Sequence, residues 1–108
     1  MGGLIISEEV ITKIASVAAL DVEGVAGMAQ KSAKFGKKNG AARSVRVAVT
    51  EDEVKIDIYV KVRLGAKIRE VSENIMRSVK DNVQSMTGRQ VDIVNVYIED
   101  IEMTVEEA

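Results

Sequence analysis

Apolar residues recur along this chain with two different periods, and the switches between them predict its elements. Val10, Ile11, Ile14, Val17 and Ala18 line one face at helical spacing. Ser7, followed by Glu8 and Glu9, predicts where that helix begins: a hydroxyl to cap a free amide and two carboxylates beside the positive end of the helix dipole. The helix is expected from Ser7 to about Leu20, slim in its middle through Ala15, Ala18 and Ala19. Gly24 and Gly27 then predict a compact turn. The Lys, Gly, Ser, Ala and Asn of residues 30–42 show no apolar period and predict a flexible loop.

Period two follows. Val45, Val47 and Val49 alternate with polar or small residues, and past Glu51-Asp52-Glu53 the alternation resumes at Val54, Ile56, Ile58, Val60 and Val62. This is the pattern of a β-hairpin with one buried face. From Ala66 to about Thr87, Ile68, Val71, Ile75, Met76, Val79, Val83 and Met86 return to spacings of three and four, predicting a second helix that Gly88 ends. Val91 to Ile98 reads as a last strand whose apolar phase shifts between Ile93 and Val94, as a bulge or a two-sided strand requires. Leu4 to Ile6 is a candidate edge strand, and residues 100–108 form an acidic tail. The expected fold is therefore α+β with order β-α-β-β-α-β: a small antiparallel or mixed sheet of three to four strands, covered on one face by two helices.

Composition limits the chain to one domain over residues 1–108, since 108 residues, 46% apolar and 30% charged, fill a single core. It also narrows the chemistry. With no His and no Cys, the chain lacks Ser-His and Cys-His nucleophile pairs, imidazole acid-base chemistry, thiol redox chemistry, disulfides and zinc sites built on nitrogen or sulfur. No Gly-rich phosphate loop or paired-acid motif stands out, so neither an enzyme nor a cofactor is expected. Glu51-Asp52-Glu53 and the group Glu99, Asp100 and Glu102 lack the spaced ligands of a calcium loop and read as a hairpin tip and a solvated tail, so no metal is assigned. No uninterrupted apolar run, Leu4 to Ile6 included, comes near the ~20 residues of a membrane span. The early Glu8 and Glu9 argue against a signal peptide. A cytoplasmic protein is expected, with a route to peripheral membrane contact.

That route is electrostatic. The net charge is only -2, but Gly24 to Thr50 holds six basic residues and no acidic one, leaving -8 for the rest. Lys31, Lys34, Lys37, Lys38 and Arg43, with the lone aromatic Phe35 among them, suit contact with an acidic protein surface or anionic lipid head groups. They suit a solvated loop equally. On the hairpin, Lys55, Asp57, Tyr59, Lys61 and Arg63 face away from the valines. They read either as a row that serves solubility or as a docking face centred on Tyr59 and Tyr97. Gly24-Val25-Ala26-Gly27 is also a GxxG beside Lys31 and Lys34, the form of a KH-type loop that clamps a nucleic-acid backbone. Its Val and Ala middle and the acidic balance of the chain favour a simple helix stop.

Two blocks carry a resemblance across nearly the whole chain: Ile14-Ala15 through Asp21-Val22-Glu23-Gly24-Val25, and Val60 to Ile68 through Met86-Thr87-Gly88 to Val94-Asn95-Val96. The sequence resembles the alkaline shock protein family, small general-stress and envelope-stress proteins of Gram-positive bacteria. It departs from that family at Leu64, where an aromatic residue is common, at Arg69 in place of Pro, and at Glu99 or Asp100 in place of Gly. The resemblance implies a cytoplasmic, non-enzymatic protein that self-associates or docks on a membrane-anchored partner, with no catalytic residues to carry over. The expected function is thus a stress-associated interaction or scaffold protein supporting the cell envelope. The alternative is a KH-like RNA-binding module using Gly24, Gly27, Lys31 and Lys34.

Overall fold

The structure, a computed structural model, describes residues 2–29 and 44–103. In chain order the elements are α1 (Glu8–Leu20), β1 (Val25–Met28), β2 (Val45–Val49), β3 (Val54–Arg63), α2 (Ile68–Thr87) and β4 (Ile93–Glu102). The class is α+β, as the alternation of periods predicts. Helix α1 starts where Ser7 says it should: the Val10 N–H donates to Ser7 Oγ, and Glu8 and Glu9 occupy the first turn.

Strand β3 organises the sheet. It pairs in parallel with β4 along Lys55 to Arg63, which occupies one of its two edges. The other edge is shared. Strand β2 takes Val54 to Ile58 and β1 takes Val60 to Val62, both antiparallel. The hairpin tip closes on Thr50, whose Oγ1 accepts from the Asp52 and Glu53 amides. Helix α1 packs over β1 and β2, and α2 over β4 and against α1, so both helices lie on one face. Val54, Ile56, Ile58, Val60 and Val62 of β3 meet Ile11, Ala15 and Ala19 of α1 and Val71, Ile75, Val79 and Val83 of α2 in one core. The alanines let α1 approach closely, and Ser78 Oγ donates across the helix pair to the Ala18 carbonyl.

Four expectations need correction. Leu4 to Ile6 forms no strand; Leu4 and Ile5 are 81% and 90% exposed, and only Ile6 touches the core. Three residues offer too few ladder bonds to offset the cost of ordering them. Second, the segment read as a turn at Gly24 to Gly27 is mostly strand β1. Strand β2 ends its pairing at Ile58, leaving the far half of β3 unpaired, and Val25 to Met28 fills that vacancy. Third, Asp100 and Glu102 are not tail. Strand β4 continues through them because Lys61 and Arg63 stand in register opposite, and opposed charges across a sheet stabilise a pair that β propensity alone disfavours. Fourth, the shift of phase expected between Ile93 and Val94 does not fall there, since the two pair in unbroken register with Lys55 and Ile56; the register shifts further along the strand. Ile98 pairs with Val60 and Asp100 with Lys61, so Glu99 is the extra residue of a bulge.

Candidate interaction surface on the open sheet face

With both helices on one side, the other face of the sheet carries the side chains that alternate with the buried valines and isoleucines of β3. Register assigns them in rows. Arg46, Asp57 and Asn95 form one row, Tyr59 and Tyr97 the next, and Lys61 with Asp100 and Arg63 with Glu102 follow. Parallel neighbours in register lie about 4.8 Å apart, so flat side chains at paired positions stack. Tyr59 and Tyr97 do so, with centroids 4.5 Å apart and planes 12° from parallel. Asn95 Nδ2 donates to Asp57 Oδ1 at 3.0 Å, tying the row beside them.

The two tyrosines differ in exposure. Tyr59, on the central strand, is only 5% exposed although no helix covers it, whereas Tyr97 on β4 is 39% exposed. Burial pushes the Tyr59 phenol above its ordinary value of 10, and Tyr97, Asp57 and Glu99 add to that while Arg46 opposes it. A phenol whose folded value is raised stabilises the fold fully below pH 10, and that stabilisation is lost as pH rises through 10 toward the folded value. Urea unfolding in the alkaline range is therefore expected to show stability falling above pH 10, with a shallower fall in Tyr59→Phe. Equal slopes for the two proteins would contradict this.

Tyr59 also anchors the sheet edge where the basic segment departs. The Ala29 N–H donates to the Tyr59 carbonyl at 2.8 Å, and the Tyr59 N–H donates to the Ser44 carbonyl at 2.9 Å. Residues 29 and 44, which flank the segment, are therefore both held by one residue. Lys31, Lys34, Phe35, Lys37, Lys38 and Arg43 lie outside the described residues.

The glycines of the GxxG have separate duties. Gly24 has φ +99°, and a Cβ built there would stand 2.7 Å from Val71 Cγ2. Its missing side chain makes room for α2. Gly27 sits in β1 opposite Lys61, where a Cβ would meet nothing nearer than Lys61 Cε at 3.9 Å. The pair is thus a turn residue facing the core and a strand residue, not two positions of one protruding loop.

Between the start of α1 and β2, a groove of about 590 Å³ is lined by Glu8, Glu9, Thr12, Val45, Arg46 and Val47. It holds no nucleophile paired with a base. Among the described residues no helix is long and apolar enough to cross a membrane. Sequence reading placed both tyrosines at the centre of a candidate docking face, without their stacking. It missed the Asn95 to Asp57 bond and the roles of Asp100 and Glu102, because these depend on β3 and β4 being parallel and on the position of the bulge.

Comparison with known proteins agrees with this architecture. Residues 1–103 match the alkaline shock protein 23 family, described as having a cell envelope-related function. The uncharacterized protein YloU of Bacillus subtilis is 36% identical over 95% of this chain and 91% of its own length. The uncharacterized protein Spy1614 of Streptococcus pyogenes is 38% identical over 94% and 89%. Among solved structures, a variant of the MamM CTD superposes with a TM-score of 0.57 at 18% identity, covering 89% of this chain and 100% of that one. At that identity the likeness concerns the fold.

Proposed function

Because the chain belongs to the alkaline shock protein 23 family, of cell envelope-related function, we propose that it is a non-enzymatic, self-associating scaffold that serves the bacterial envelope through protein contacts from the cytoplasmic side. The single observation that carries this reading is the open sheet face. A stacked aromatic pair sits at its centre, with Arg46, Lys55, Lys61 and Arg63 on β2 and β3 and with Asp100 and Glu102 on β4. A half-exposed Tyr97 whose ring is already held by Tyr59 loses little freedom on binding, which suits it as an anchor for a protein partner. The basic residues Lys31, Lys34, Lys37, Lys38 and Arg43, whose segment joins the sheet at Tyr59, add attraction toward an acidic or membrane-bound partner. The KH-like alternative loses its support at Gly24, since contact with Val71 accounts for that glycine.

The test is a photo-crosslinking amino acid placed at the exposed Lys55 in living cells under envelope stress. The expected product is a covalent adduct with a membrane-anchored protein, and Tyr97→Ala is expected to reduce its yield at least about tenfold, the effect of a modest hot spot. Adducts with RNA, or a yield indifferent to Tyr97, would overturn the reading.

A further inference from the structure

The geometry points to the outer edge of β4 as the place where two copies of this chain join, β4 against β4 in antiparallel pairing about a two-fold axis. This deepens the self-associating reading above and rests on it. On β3 both edges are occupied, but β4 has β3 on one side and no strand on the other among the described residues. It is also long, ten residues or roughly 33 Å of edge. Proteins protect such edges with charge, bulges or coverage. Strand β4 is protected along only half its length. Its second half carries Glu99, Asp100 and Glu102 and the bulge; its first half, Ile93 to Ile98, has no charge, no Pro and four β-branched residues. An uncharged strand of six such residues with an open edge is a template for another strand.

Charge selects the occupant. Parallel pairing would place the acidic halves of two copies side by side. Antiparallel pairing over the uncharged halves separates them and carries each acidic end past the start of the partner strand, where Arg89 is exposed. The chain thus supplies the missing strand and brings a cation toward each acidic end. On the open face, Ile93 and Tyr97 are 37% and 39% exposed and four residues apart. Antiparallel alignment sets Ile93 of one copy beside Tyr97 of the other, an aromatic and β-branched cross-strand pair. A two-fold contact of this kind is closed and ends at two copies.

Because the chain has no Cys, single cysteines report the contact cleanly. Ile93→Cys, Asn95→Cys and Tyr97→Cys are oxidised separately, with exposed Ser85→Cys on α2 as control, beside light scattering of the unmodified protein over a concentration series. Near a two-fold axis a residue meets its own copy at a distance a disulfide can bridge. The expected result is a dimer in solution and a covalent dimer that peaks at one β4 position and is weak at Ser85→Cys. The double variant Ile93→Lys, Tyr97→Lys is expected to keep its circular dichroism spectrum and weaken dimerisation at least tenfold. A dimer that no β4 cysteine captures overturns this interface while leaving self-association intact. So does one lost on deletion of residues 2–6, which would make the exposed Leu4 and Ile5 the exchanged segment. A monomer across the whole series overturns both.

Discussion

Gly24→Ala is expected to lower the unfolding free energy by about 2–4 kcal/mol, because two costs fall on one methyl group. The first is backbone strain, since φ at Gly24 is +99°, a region that L side chains rarely adopt. The second is steric. The new Cβ would lie 2.7 Å from Val71 Cγ2, and Val71 is itself buried among the core residues of α2, so it has little room to retreat. Gly65 separates the two contributions. Its φ of +95° is almost the same, but a Cβ there meets nothing within 4 Å, so Gly65→Ala measures the strain alone and is expected to cost about 1–2 kcal/mol. Gly27→Ala, in open strand geometry, is expected to be neutral to within about 0.5 kcal/mol. Urea denaturation of the three variants checks the order. Equal losses at Gly24 and Gly65 would remove the Val71 clash from the account, and a large loss at Gly27 would contradict its assignment to an open strand position.

Ile75→Ala is expected to cost about 2–5 kcal/mol. Ile75 is fully buried at the middle of α2 and among the largest side chains of the core. Removing its three outer carbons forfeits their transfer energy and leaves a cavity that a helix and a sheet meeting at fixed distance close only in part. Against a total stability of roughly 5–15 kcal/mol for a domain of this kind, that is a large share. A fall in Tm of about 10 °C or more follows. Met86→Ala is the matched control. Both residues lie on the apolar stripe that the sequence assigns to the second helix, but Met86 is 67% exposed, so its removal is expected to change stability by less than about 0.5 kcal/mol. Comparable losses at the two positions would mean that the helix presents a broader face to the sheet than Val71, Ile75, Val79 and Val83.

The difference between Ile75 and Met86 shows how far the residue pattern reaches. A spacing of three and four says that a side chain belongs to the apolar stripe of a helix; it does not say where along that stripe the sheet ends. The same holds for Leu4 to Ile6, whose apolar character suits a strand but which finds no place in the sheet. Tyr59 and Tyr97 were legible as candidates because aromatic residues are so few, with two Tyr and one Phe in the whole chain. Their stacking was not, since it requires parallel pairing in a particular register.

The sequence by itself determined the two helices, the hairpin, the class of the fold and the absence of imidazole and thiol chemistry. Those follow from the local period of apolar residues, from capping groups such as Ser7, and from composition, none of which needs a distant partner. Only the tertiary structure decided what depends on residues far apart in the chain. Strand β1 exists because β2 leaves half of β3 unpaired, and β4 extends through Asp100 and Glu102 because Lys61 and Arg63 stand opposite. Gly24 is needed because α2 comes so close. In each case the deciding energy lies in a contact between elements, and no local pattern of residues encodes it.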